Sequence, residues 1–169
     1  MSSVATLEIL GYSWRDEPGR GYLEALGIGL KPEKNAVYVR GNFACVKKRK
    51  IVDRRAGRDE SGLDTLVKEL NRKIKSIGGV KTKLYRAFGH RVVLVLSGRG
   101  LDRHVSDSDI GASIRRINAL DNKAKKTAEV LNKFSKVSGE ILSNHPANKK
   151  RKVPANFILL TSQRGFYYT

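Results

Sequence analysis

Five consecutive apolar residues, Val92 to Leu96, constrain the fold of this chain more than any other segment. The run contains only valine and leucine, and the dipeptide Gly89-His90 separates it from a second extended run, Val80 to Phe88. A short turn with glycine between two such runs is typical of an antiparallel hairpin. Because charged residues make up 30% of the chain, an uninterrupted apolar run predicts a central, buried strand.

A third extended segment precedes these two. Residues Ala36 to Val46 are rich in β-branched and aromatic side chains with partial alternation, and a basic turn, Lys47 to Lys50, leads into Ile51-Val52. This pattern predicts a strand with a hairpin partner.

Two helices and a last strand complete the pattern. The first helix is expected to begin at Ser61, where Asp64 gives a capping-box spacing, and to end at Gly78-Gly79. The second spans about 119–143, and residues 156–160 read as a strand. The order of elements predicts an α+β fold, with a mixed, largely antiparallel sheet covered by two main helices.

The charge and composition of the chain limit the classes of function that it can have. Lys and Arg number 34 against 16 Asp and Glu, a formal net charge of +18 that favours anionic partners. The single cysteine, Cys45, excludes an internal disulfide, so a cytoplasmic location is expected, and no apolar run is long enough for a membrane span. Three scattered histidines and the absence of known nucleophile or metal motifs predict no complete catalytic site in this chain.

Two basic segments could bind an anion. In Asp53-Arg-Arg-Ala-Gly-Arg58, guanidinium forks can grip phosphate or carboxylate, and Gly57 lets the backbone approach a ligand; a solvated basic loop is the alternative. The run Lys149 to Lys152 is similar to a nuclear import signal or nucleic-acid patch, although basic turns after helices are ordinary.

Five motifs follow one another in a fixed order: PGRGYLEALG (18–27), RGNFA (40–44), IVDRRAGR (51–58), SDSD (106–109) and PANFILL (154–160). In this order they resemble the archaeal-type 2,3-bisphosphoglycerate-independent phosphoglycerate mutases of the alkaline phosphatase superfamily. The eight-residue string IVDRRAGR is the most specific of them.

The resemblance implies an activity and a division of labour. Members of this family interconvert 3-phosphoglycerate and 2-phosphoglycerate through a phosphoserine enzyme, with two divalent metal ions (Mn²⁺ or Mg²⁺) in a phosphatase-like core. An inserted domain holds the glycerate and the phosphate. Matching motifs assign substrate binding here to Asp53, Arg54, Arg55, Arg58, Arg40, Asn42, Ser106 and Asp107. No metal ligand or catalytic residue is assigned within this chain.

The resemblance also divides the chain. Residues 1–34 would be a flank from the core, 35–155 the substrate-binding insert, and 156–169 a returning strand and tail. The expected partners are phosphoglycerate and a polypeptide carrying the core, and uncovered sheet edges would favour a homodimer. The alternative is a non-catalytic basic protein that binds nucleic acid or another polyanion, which the net charge favours.

Overall fold

The computed structural model describes residues 19–161 of the chain. Within them, one sheet joins strands that all pair antiparallel. The strands are β1 (Ala36–Lys47), β2 (Lys50–Asp53), β3 (Ser76–Ile77), β4 (Val80–Arg86), β5 (Arg91–Ser97), β6 (Asp109–Ile110), β7 (Ser113–Ile114) and β8 (Phe157–Thr161). The helices are α1 (Arg20–Gly27), α2 (Leu63–Lys73), α3 (Lys125–Asn144) and the short α4 (Pro146–Lys149). The predicted α+β class is confirmed.

Strand β1 organises the sheet because three strands pair along its length. Residues 36–42 pair with β5, residues 40–44 pair with β8, and residues 45–47 pair with β2, with a bulge between Cys45 and Val46. The run Val92 to Leu96 in β5 is buried throughout, as the sequence predicts for a central strand.

One face of the sheet carries the main hydrophobic core. Because side chains alternate along a strand, Val37, Val39 and Phe43 of β1 share this face, where α2 and α3 pack against the sheet. Each helix contributes fully buried side chains: Leu63, Leu66 and Leu70 from α2, and Leu131, Phe134 and Leu142 from α3. These are the two main helices of the prediction.

The opposite face receives α1. Ala25 of this helix is buried with Val93 and Val95 of β5. Gly21 permits the close approach, since a Cβ atom at this position would lie 2.3 Å from the carbonyl oxygen of Tyr38. The predicted flank 1–34 thus contains a helix packed on the sheet; its first 18 residues, and the tail after residue 161, lie outside the described residues. The domain boundaries themselves stay a prediction.

The limits of α2 differ from the prediction. Gly62 caps the helix without a side-chain hydrogen bond, so Ser61 and Asp64 form no capping box, and Asp64 pairs instead with Arg86 of β4. The helix also ends at Lys73, well before Gly78-Gly79. These glycines form the turn between β3 and β4, with φ of +56° and +76°.

The limits of α3 shift in a similar way. It begins at Lys125, after a 3-10 turn over Asn122–Ala124 that the carboxylate of Asp121 caps. No helix in residues 19–161 combines the length and the apolar character that crossing a bilayer requires.

Candidate anion-binding site

The predicted arginine motif lies on a tight loop after β2. The carboxylate of Asp53 accepts hydrogen bonds from the backbone N–H groups of Arg55 (2.7 Å) and Gly57 (3.2 Å). Ala56, Gly57 and Arg58 have φ of +46°, +71° and +56°. Left-handed backbone is unfavourable for alanine and arginine, so other contacts must hold this loop. Asp53, a predicted substrate contact, uses both carboxylate oxygens to fix the loop backbone.

The arginines of this loop differ in what they contact. Arg54 forms an ion pair with the buried Asp109 and donates a hydrogen bond to the carbonyl oxygen of Gly111. It therefore braces the turn between β6 and β7. Arg55 and Arg58 have exposed side chains.

His90, in the turn between β4 and β5, lies within electrostatic reach of four guanidinium groups. The pKa of its imidazole lies below the ordinary value of 6.5, first because the ring is partly buried and then because Arg91, Arg55, Arg40 and Arg58 disfavour its charged form. These arginines come from β5, from the loop after β2 and from β1. The fold therefore places Arg55, Arg58 and Arg40, three of the predicted contacts, within electrostatic reach of one imidazole. It also adds His90 and Arg91, which the sequence analysis did not assign.

Glu24 of α1 links two of these arginines. Its Oε2 lies 3.2 Å from Arg40 Nε, and its Oε1 lies 3.5 Å from Arg91 Nη1. Burial lowers the pKa of Arg40; Glu24 opposes this shift, and Arg91 and Arg20 add to it. One carboxylate shared between two guanidinium groups leaves the surface positively charged.

Three buried polar atoms on this face lack a hydrogen-bond partner within the described part of the chain: Arg40 Nε, Glu24 Oε2 and Asn42 Oδ1. The first two are close enough for an ion pair without being aligned for a hydrogen bond. Asn42 pairs with Arg91 in the β1–β5 register and shares a face with Arg40. Buried polar groups are normally satisfied, so this surface is suited to a polar ligand.

The predicted loop residues Ser106 and Asp107 lie in a segment that is tied to β8. The Ser106 hydroxyl accepts a hydrogen bond from the backbone N–H of Asn118 (2.9 Å), which helps to close the loop. Ser108 exchanges hydrogen bonds with Leu160 of β8, the neighbour of β1. The hydroxyl of Ser106 is thus used inside the loop, and a substrate role for Ser106 and Asp107 stays a prediction.

Arg151 is a residue whose role the sequence analysis missed. Lys149, Lys150 and Lys152 are exposed, but the side chain of Arg151 is 2% exposed. Its guanidinium donates hydrogen bonds to carbonyl oxygens of the arginine loop. The basic run is therefore not a continuous surface patch, and no local sequence signal separates Arg151 from its neighbours.

Within residues 19–161, one trio offers metal-ligand atoms that lie within 4.8 Å of one another: Asp102, His104 and Asp121. His104 Nδ1 lies 2.7 Å from Asp102 Oδ1 and 3.5 Å from Asp121 Oδ2. A hydrogen-bonded Asp–His pair beside a capping aspartate accounts for this arrangement. The motif resemblance assigns its metal ions to a core outside this chain.

An antiparallel sheet that carries Arg40 and Arg91 on one face, with two more exposed arginines on the loop after β2, defines a module suited to a small anion with more than one charge. Comparison with known proteins identifies the family to which this module belongs. A family model described as 2,3-bisphosphoglycerate-independent phosphoglycerate mutase matches residues 1–148. The chain belongs to this family, as the motifs predicted.

Relatives extend beyond this chain. It is 42% identical to the 2,3-bisphosphoglycerate-independent phosphoglycerate mutase of Ignicoccus hospitalis, over 94% of this chain and 42% of that protein. For the enzyme of the same description from Sulfolobus acidocaldarius, identity is 45% over 84% of this chain and 37% of the relative. A solved cofactor-independent phosphoglycerate mutase from Thermoplasma acidophilum matches with a TM-score of 0.78 and 33% identity, covering 94% of this chain and 45% of that one. The chain spans about 40% of the length of these curated relatives.

Proposed function

We propose that this chain is the substrate-binding part of a phosphoglycerate mutase and holds phosphoglycerate while the phosphate moves between the 3- and 2-hydroxyl groups. The observation that carries the proposal is the pair Arg40 and Arg91 at Glu24, 3.2 and 3.5 Å from its carboxylate oxygens, on the face where the buried Oδ1 of Asn42 has no hydrogen-bond partner among the described residues. Arg55 and Arg58 act with these two arginines to lower the pKa of His90. Family membership supports the reaction, and the coverage of the relatives supports a role for this chain in only part of the enzyme.

The chemistry of the ligand fits the chemistry of the site. Phosphoglycerate carries a carboxylate and a phosphate, and a planar guanidinium binds either group through two parallel hydrogen bonds. Several such forks on one surface can keep hold of one anionic group while the other is repositioned. Asn42, whose buried Oδ1 lacks a partner, would contribute a polar contact to the glycerate.

The reactive groups belong, in this proposal, to polypeptide that this chain does not span. The described residues at this site are mainly arginines, and its two carboxylates are already used: Glu24 pairs with Arg40 and Arg91, and Asp53 accepts hydrogen bonds from the loop backbone. This set of side chains does not fit a pair of divalent metals. When bound in a phosphatase-like core, such metals stabilise charge on the transferred phosphate. This chain binds and orients the glycerate, so we expect no mutase activity from it alone. A cytoplasmic location, as for a glycolytic isomerase, is part of the same proposal.

Calorimetric titration of the chain with four ligands at about 0.15 M ionic strength, where the Debye length is about 8 Å, tests the proposal. We expect saturable binding of 3-phosphoglycerate, weaker binding of inorganic phosphate, and little heat from glycerate. Duplex DNA is the fourth ligand, because the net charge of +18 favours the polyanion alternative. Salt-sensitive DNA binding without phosphoglycerate binding would contradict the proposal.

Addition of a polypeptide that carries the phosphatase-like core, with Mn²⁺ or Mg²⁺, extends the test to catalysis. We expect mutase activity from the mixture and none from this chain alone. Activity from the chain alone would contradict the division of labour.

A further inference from the structure

We infer that Arg151 is a positioning residue for the arginine loop: it holds residues 55–61 in the conformation that presents Arg55 and Arg58 to the ligand. This inference rests on the proposed function for its ligand but has a readout of its own in the loop.

The guanidinium of Arg151 donates hydrogen bonds to main-chain carbonyl oxygens. Its Nη2 donates to the carbonyl oxygens of Ala56 (2.9 Å) and Asp59 (2.6 Å), and its Nη1 donates to that of Ser61. Its Nε donates to the carbonyl oxygen of Val153 (3.2 Å), which fixes the side chain to its own segment. The bonds to Ala56, Asp59 and Ser61 join segments that are 90 to 95 residues apart.

The loop requires such support because of its backbone. Three consecutive residues, Ala56 to Arg58, have positive φ, and two of them are not glycine. Conformations of this kind persist only where the surroundings fix them. Asp53 binds two N–H groups of the loop, and Arg151 binds its carbonyl oxygens, so the backbone is held from both sides.

Arg151 itself cannot be a ligand contact. Its side chain is 2% exposed, whereas Arg55 and Arg58 are exposed. A lysine could not replace it either, because an ammonium offers three donors at one point, whereas a guanidinium offers five donors in a planar fork.

The test compares Arg151→Lys and Arg151→Ala with Lys150→Ala and Lys152→Ala, which remove exposed charges from the same run. In NMR spectra of the whole chain, we expect the Arg151 variants to shift or broaden the amide signals of residues 55–61 while signals of the β5 core stay in place. We expect affinity for 3-phosphoglycerate to fall at least about tenfold in these variants and to stay within about twofold in the lysine controls.

Added guanidinium ion separates positioning from general stability. At low millimolar concentration it should restore the loop signals and the affinity of Arg151→Ala, whereas methylammonium should not. Unchanged loop signals with unchanged affinity would overturn the inference, as would global unfolding of both Arg151 variants or equal losses in the lysine controls. If the unmodified chain binds no phosphoglycerate, the proposed function fails, but the loop signals and their rescue still decide the role of Arg151.

Discussion

Strand β1 builds two different surfaces from alternate residues. Val39 and Phe43 enter the apolar core under α2 and α3, whereas Arg40 and Asn42 lie on the face that receives α1. The core face is closed and apolar. The α1 face keeps like charges close together and leaves the buried Oδ1 of Asn42 without a hydrogen-bond partner among the described residues. The side chains on one face of this strand therefore stabilise the fold, and those on the other face are available for ligand binding.

The sharpest way to break the comparison is to truncate neighbouring residues of β1. Phe43→Ala removes a fully buried ring, and we expect it to lower the free energy of unfolding by about 3–5 kcal/mol. Asn42→Ala, on the opposite face, should change it by less than about 1 kcal/mol but weaken 3-phosphoglycerate binding. Urea unfolding and calorimetry measure the two effects. Similar losses of stability in both variants would contradict the separation of the faces.

Gly21→Ala tests how α1 reaches the sheet. The new methyl group would lie 2.3 Å from the carbonyl oxygen of Tyr38, so the helix must move, and we expect a loss of about 1–3 kcal/mol in stability. Anion affinity should fall as well, because Arg40 and Arg91 would lose the Glu24 contacts that hold their side chains in position. Gly27→Ala, which meets no atom within 4 Å, is the matched control and should be neutral or slightly stabilising. Equal thermal unfolding curves for both variants would refute the tight contact.

Removal of the two exposed loop arginines, Arg55 and Arg58, should weaken ligand binding without lowering the free energy of unfolding. We expect Arg55→Ala and Arg58→Ala each to weaken 3-phosphoglycerate binding by about 1–3 kcal/mol, because each removes hydrogen bonds to a charged group. Arg72→Ala removes an exposed arginine that pairs with Glu69 on α2 and should leave the affinity within about twofold. The account fails at this point if calorimetry finds the same loss in all three variants, since a loss of net charge would then explain it.

The smallest expected effect is the pH dependence that His90 gives to stability and to ligand affinity. Because its pKa in the folded chain lies below 6.5, the unfolded chain binds more protons just below that pH, and stability is lost as pH falls through 6.5. A bound phosphate would raise the pKa of His90, so binding takes up a proton and affinity rises as pH falls. NMR titration of the imidazole with and without 3-phosphoglycerate measures both shifts. If a His90→Gln variant keeps the same pH dependence of affinity, that dependence comes from another titratable group and the prediction is wrong.

Much of the fold was predictable because it follows from periodicity. The apolar run of β5 and the alternation of β1 are local patterns, and they place Arg40 and Asn42 opposite the core residues of β1. The predicted start of α2 was wrong. Asp64 pairs with Arg86 of β4 instead of forming a capping box, and Gly62 occupies the N-cap position without a side-chain hydrogen bond.

The parts of the site that were missed depend on distant contacts. Arg151 lies in a basic run of the sequence. It differs from its neighbours only because its guanidinium is buried against carbonyl oxygens more than 90 residues away. His90 is part of an ordinary hairpin turn until the fold brings arginines from other segments beside it. Such convergence leaves no signal in local spacing.

The central claim is that Arg40, Arg55, Arg58 and Arg91 form one binding surface for phosphoglycerate. The most direct measurement is a ¹H–¹⁵N NMR titration of the whole chain with 3-phosphoglycerate at about 0.15 M ionic strength. The account predicts saturable shifts concentrated at residues 40–42, 55–58 and 90–91. Absence of saturation, or shifts of similar size at the exposed turn 47–50, would contradict it.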